Sequence, residues 1–160
     1  MDKNPALKRR QIINLKTEGD YFIDQYVHLR NNYAELLLTS VVNIAETKEW
    51  LKKSDIEVRG LIRNNILLGA VILYLNKDGE IAFFVKQSGK GIGSRLIKII
   101  EEVAKEKKLQ FIWAWVINDN LIAQRVFIKN KFVKEAVSER PYRGAIKTGI
   151  TYKKILDNKL

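Results

Sequence analysis

Gly89, Gly91 and Gly93 fall within five residues, in a chain of 160 residues that has nine glycines. They stand where an apolar run, Ile81 to Val85, gives way to a stretch in which Ile92, Leu96, Ile99 and Val103 recur at spacings of four, three and four. The run has the composition of a strand, and the stretch carries the single stripe of a helix. A strand, a glycine loop and a helix start make an anion site. Glycines let backbone N–H groups approach a phosphate, and the unpaired N–H groups and dipole of a first helical turn favour negative charge. The ligand implied carries a pyrophosphate. By spacing alone, the same glycines equally suit a sharp strand-to-helix turn that needs positive φ.

Two standard nucleotide motifs fit poorly. A P-loop needs Lys-Ser or Lys-Thr after its glycines, and neither follows here. A dinucleotide-binding G-x-G-x-x-G needs a glycine where Ser94 stands, and it follows a first strand rather than lying mid-chain.

The chain has no cysteine, which excludes disulfides, thiolate metal sites and cysteine nucleophiles. A single histidine, His28, argues against a histidine metal site, so no metal is expected. Residues 1–10 hold no apolar core of a signal peptide, and no run approaches the roughly 18 apolar residues of a membrane span. The expectation is one domain over 1–160, cytoplasmic, without a membrane, as a monomer or homodimer.

The net charge of +11 is unevenly placed. Residues 1–85 carry 12 basic and 11 acidic side chains, and residues 86–154 carry 16 and 6. The excess therefore begins at the glycine loop, as suits a polyanionic cofactor or acidic partner. Solvated surface lysines would give the same count. No helix-turn-helix, zinc finger or RNP-like aromatic motif accompanies the charge, so nucleic acid is not the expected partner.

The elements that must position the loop follow from periodicity and turn chemistry. Arg10 to Leu15 suggests a short strand, and Tyr21 to Asn31 a helix with Asp20 as its N-cap. Leu36 to Ala45 is ambiguous, and Ala45 to Lys53 looks helical. Ile56–Ile62, Ile66–Leu75 and Ile81–Val85 form a meander across Arg63-Asn64-Asn65 and Asp78-Gly79. A helix over 92–107 leads to a strand over Leu109–Ile117, with Phe111, Trp113 and Trp115 on one face. Leu121–Lys129 is helical, with Ile122, Val126 and Lys129 on one face. Phe132–Ser138 and Ile146–Ile155 close an antiparallel pair. The order is β-α-α-β-β-β-α-β-α-β-β. The class is α+β, in three α/β/α layers, with a mixed, mostly antiparallel sheet of about seven strands. Strands four and five are parallel across the helical crossover.

That order, with a glycine loop between strand four and its helix, resembles the GNAT family of N-acetyltransferases. In that family a Q/R-x-x-G-x-G/A motif binds the pyrophosphate of acetyl-CoA. Ser88-Gly89-Lys90-Gly91-Ile92-Gly93 fits all but the first position, and Gln87 lies one residue early. The family's N-x-x-A-x-x-x-Y-x-x-x-G-F pattern is matched by Asn120, Ala123 and Phe132, with Phe127 for the tyrosine and Lys131 for the glycine. The resemblance implies a sheet splayed between strands four and five, with acetyl-CoA as donor. It places Phe84, Val85, Ser88, Gly89, Lys90, Gly91, Ile92, Gly93, Ser94, Asn120, Phe127 and Lys129 at the cofactor. Phe127 cannot give a proton to the departing thiolate as the family's tyrosine often does, so water or another hydroxyl takes that role, with Tyr142 and Tyr152 as candidates, or no acid is needed.

Glu80 opens strand four, where family members carry a base that takes the amine's proton through water. A solvated residue after the Asp78-Gly79 turn is the plainer reading. Arg30, Asn31 and Trp50 match a pattern that walls the acceptor pocket in members acting on amino sugars, polyamines or ribosomal-protein N-termini, although Trp50 also suits a core anchor. The function implied is direct acetyl transfer to the primary amine of a small molecule, an amino sugar or its nucleotide conjugate first and a protein N-terminus second. The alternative is a non-catalytic CoA- or nucleotide-binding module of the same fold.

Overall fold

A computed structural model describes residues 11–157. The start of the expected first strand at Arg10, and residues 1–10 as a whole, lie outside the described residues. The first strand is β1 (Ile12–Asn14), followed by helices α1 (Asp20–Asn32), α2 (Ala34–Leu37) and α3 (Ile44–Leu51). Strands β2 (Ile56–Arg63), β3 (Ile66–Tyr74) and β4 (Glu80–Val85) form the meander. Then come α4 (Ile92–Glu106), β5 (Phe111–Ile117), α5 (Leu121–Lys129), β6 (Val133–Tyr142) and β7 (Ala145–Ile155).

The seven strands run β1-β2-β3-β4-β5-β7-β6 across one sheet. Every neighbouring pair is antiparallel except β4 and β5. Those two are parallel and meet at a single registered pair, Glu80 and Trp113, where the Trp113 N–H donates to Gly79 O at 3.2 Å. Beyond that point the strands splay, and the opening is the frame of the site.

Turn chemistry sets the hairpins. Asn64 and Asn65 take φ of 52° and 63°, both left-handed, as a two-residue hairpin loop requires. Arg143 and Gly144, at 49° and 77°, do the same between β6 and β7. Asp78 and Gly79, at 55° and 85°, turn the chain into β4. Lys131 occupies the family's glycine position at φ 72°, a conformation that L side chains adopt at a cost.

Two apolar cores cover the two faces. On one, α4 and α5 bury Leu96, Ile97, Ile100, Ala123 and Phe127 against Val71, Ile81, Val85 and Ile112. On the other, α1 and α3 bury Phe22, Tyr26, Leu29 and Leu51 against Val58, Ile72 and Phe84. The strand period of two produces this division. Among the described residues, no helix is long and apolar enough to cross a membrane.

Three expectations shift. The N-cap of α1 is Gly19, and Asp20 is the first helical residue. The ambiguous stretch takes in only the end of the four-residue α2, which is capped by Leu38 at φ 54°, and the first two residues of α3. The face of α5 that enters the core is Ala123 and Phe127, while Ile122 is 52% exposed.

Candidate functional site

The glycine loop opens a cavity of about 410 Å³. Helix α4 starts at Gly91, whose φ is 75°, and Gly89 lies at 78°. A Cβ built on either glycine meets nothing within 4 Å, so the backbone faces open space. The first hydrogen bond of the turn runs from the Arg95 N–H to Gly91 O at 3.2 Å. The N–H groups of Ile92, Gly93 and Ser94 therefore have no acceptor within the helix. Ser88 completes the loop side of the wall, and Phe83, Val85, Ile122 and Val126 give it an apolar floor. Arg125 and Lys129, one turn apart on α5, add two cations.

An oxygen-rich anion on a long apolar tail fits this wall. Its charge would meet free amides, the helix dipole and two cations, and its tail the apolar floor. Acetyl-CoA has this form. Asn130, 7% exposed, ties the two helices together: its Nδ2 donates to Ser94 Oγ at 3.0 Å and to Val126 O at 2.8 Å. No spacing rule marked Asn130, because its partner is 36 residues away.

Four residues expected at the cofactor lie outside this wall. Phe84 is fully buried on the opposite face with Tyr26 and Tyr33, because adjacent strand residues point to opposite sides. Lys90 turns toward a neighbouring basic cavity with Lys86 and Arg95. Asn120 caps α5, its side-chain oxygen accepting from the Ala123 N–H at 3.2 Å. Phe127 is 2% exposed, stacked on Tyr152 and edge-on to Phe83 and Phe132. It sits one residue round the helix from Val126, which does reach the cavity.

Phe127→Tyr should therefore lower stability by about 1–3 kcal/mol, the scale of a buried hydroxyl without a partner, and should not raise turnover. A denaturant midpoint and a steady-state rate check this. A gain in turnover would place the ring edge at the reacting thiol instead.

Glu80 lies on the opposite face of the sheet from the loop cavity. It is only 8% exposed, which sets aside the solvated reading. Its Oε2 accepts from Arg140 Nη2 at 3.0 Å. Its Oε1 has no hydrogen-bond partner among the described residues. Arg140 stands over the rings of Trp115 and Trp113, at 4.7 and 5.9 Å. Gly149 allows this arrangement, because a Cβ there would run into the Trp115 ring. Glu80, Arg140 and Trp115 wall a cavity of about 230 Å³ that also touches Arg30, Thr39, Tyr74, Lys77 and Ala82.

Of the residues expected at the acceptor, only Arg30 reaches this cavity. Asn31 holds the chain before α3, donating to Val42 O and accepting from its N–H, both at 2.9 Å. Trp50 stacks on Tyr26 beneath the Arg30 guanidinium, which lies 5.0 Å from the ring. Tyr142 is engaged elsewhere, its hydroxyl donating to Thr39 O at 3.1 Å. That bond latches the β6–β7 hairpin onto the segment after α2. Burial raises the Tyr152 hydroxyl above its usual range, and it faces a separate cavity beside Gln124 and Ile128.

Strand β4 thus serves two cavities. Phe83 and Val85 wall the loop cavity, and Glu80 and Ala82 wall the other. The second of them also takes in Trp115 of β5. Among the described residues, no cluster of three or more His, Cys, Asp or Glu could hold a metal.

The sequence model of the acetyltransferase (GNAT) family matches residues 42–132, more than half of the chain. No curated protein is similar enough in sequence to match. Solved structures are similar in fold. A ribosomal-protein-alanine N-acetyltransferase from Brucella melitensis superposes with a TM-score of 0.79 at 16% identity, over 91% of this chain and 99% of that one. An N-acetyltransferase from Staphylococcus aureus gives 0.77 at 15%, over 91% and 98%. A Salmonella typhimurium protein solved with its cofactor acetyl-CoA gives 0.75 at 16%, over 93% and 95%. The matched segment runs from before α3 through β4, the glycine loop and α5, and by it the chain belongs to the GNAT family of acetyltransferases, whose acetyl donor is acetyl-CoA.

Proposed function

We propose that this acetyltransferase moves the acetyl group directly onto a primary amine, with the donor in the glycine-loop cavity and the amine in the Glu80 cavity. One observation carries the reading: two cavities of different chemistry, one on each face of the sheet, share strand β4 where it splays from β5. Acetyl-CoA supplies an acetyl thioester, already activated toward amines. The chain's own residues do the rest. The amides of Ile92, Gly93 and Ser94 hold the pyrophosphate, and Lys129 reaches toward the 3′-phosphate. Phe83, Val85, Ile122 and Val126 keep water from the pantetheine arm. Glu80 takes a proton from the ammonium through Oε1, directly or across one water, because only the neutral amine attacks. With no cysteine in the chain, no cysteinyl acyl-enzyme precedes the transfer.

The acceptor is a small molecule, an amino sugar or nucleotide-linked amino sugar, or else a protein N-terminus. The competing reading is a CoA-binding module without chemistry. The replacement of the family's tyrosine by the buried Phe127 favours it, because the loop cavity then has no tyrosine hydroxyl in its wall to protonate the departing thiolate. Following free thiol and the mass of the amine together separates the two. Thiol release that depends on an amine, with acetylated amine as product, is the expected result. Tight CoA binding with no amine-dependent release would leave only the module.

A further inference from the structure

The Glu80 cavity carries more positive charge than its carboxylate can balance. Three cations wall it, Arg30, Lys77 and Arg140, against Glu80 alone. Arg140 is committed to Glu80. Arg30 and Lys77 have no carboxylate partner among the described residues. Arg30 lies over Trp50, and its Nη1 reaches only the Tyr26 hydroxyl, at 3.4 Å. Lys77 Nζ lies 4.6 Å from the Tyr74 ring. Burial holds both phenols above their usual range, so they stay neutral and cancel none of this charge.

A second observation points the same way. Arg30 Nε and Thr39 Oγ1 are buried with no hydrogen-bond partner, and both residues wall this cavity. Buried polar atoms are nearly always paired, so each asks for a partner that the chain does not supply. An Arg Nε can only donate, and a Thr hydroxyl can donate as well. Two orphan donors beside unbalanced cations call for an acceptor atom that carries negative charge.

We infer that the acceptor is a small primary amine that also bears an anionic group, a carboxylate or a phosphate. This rests on the reading of the Glu80 cavity as the acceptor site. The ammonium end faces Glu80, and the anionic end meets Arg30, Thr39 and Lys77. The modest volume, about 230 Å³, and the apolar faces of Leu37, Ile72 and Pro141 suit a molecule of amino-acid or sugar-phosphate size. A polyamine meets like charge and is disfavoured.

Matched pairs test this: leucine against leucinamide for the carboxylate, and glucosamine 6-phosphate against glucosamine for the phosphate, with spermidine as the polycation. In kcat/KM the anionic member of at least one pair should win by tenfold or more, the scale of a charge-assisted hydrogen bond, and that pair names the anion. Arg30→Gln should reduce the ratio to within about threefold, Arg30→Lys should restore part of it, and Lys77→Met should narrow it. Tryptophan fluorescence titrations of the same pairs on the CoA-loaded protein read the preference even without turnover. Equal or reversed ratios in both readouts, or a ratio that Arg30→Gln leaves intact, overturn the inference. Amine-dependent thiol release with a reversed ratio overturns the anion preference alone. Thiol release that ignores every amine overturns the transferase reading, and the fluorescence titrations then decide the anion preference by themselves.

Discussion

Glu80→Gln lowers turnover by roughly 10²-fold or more while acetyl-CoA still binds, the scale of a lost general base. Glutamine keeps the shape of the side chain and can still accept from Arg140, so the fold should hold. What it loses is the ability to take a proton. The deficit should shrink as pH rises, because more of the amine is then neutral before it binds and the base has less to do. Arg140→Met is the companion variant. It breaks the same ion pair but keeps the carboxylate, so a large loss in Glu80→Gln with a much smaller one in Arg140→Met assigns the effect to proton transfer. Wild-type turnover in Glu80→Gln at neutral pH would instead make Glu80 the structural partner of Arg140.

Gly91→Val raises the acetyl-CoA dissociation constant by at least about tenfold, or about 1.4 kcal/mol. Two effects act in the same direction. A β-branched residue at φ 75° strains the backbone and moves the amides at the start of α4. Its side chain also fills the open space that a phosphate would take. Gly144→Val is the control. Its φ is 77° with equally open surroundings, but it sits on the β6–β7 turn. It should cost similar stability and leave acetyl-CoA affinity alone. Calorimetry on both variants separates strain from site. A folded Gly91→Val with unchanged affinity removes the loop from the cofactor site.

The meander and the loop were legible because local chemistry dictates them. Alternation over Ile56–Ile62 and paired asparagines at the hairpin need no distant partner. The parallel pairing of β4 and β5 followed from the helical crossover. The faces of single helices were less legible. Ile122, Val126 and Lys129 do form a stripe, but all three line the cavity beside the glycine loop. Periodicity identifies a face without saying whether core or ligand covers it. The same limit hid the fate of Phe127, which packs on Tyr152 from a strand that a motif cannot see. Side-chain pairs across long separations were invisible: Glu80 finds Arg140 60 residues on, and Tyr142 finds Thr39 103 residues back. The residues that these pairs bring together, Glu80, Arg140 and Thr39, line one cavity. Asn31, Trp50 and Tyr142 lie outside its lining.

Acetyl-CoA is expected to lie across the glycine loop and the splay. A crystal structure of the chain with CoA tests it most directly. Pyrophosphate oxygens are expected within about 3 Å of the Ile92, Gly93 and Ser94 amide nitrogens, and the sulfur in the gap between β4 and β5. A pyrophosphate bound instead in the neighbouring basic cavity of Lys86, Lys90 and Arg95, with the loop amides left to solvent, would contradict it.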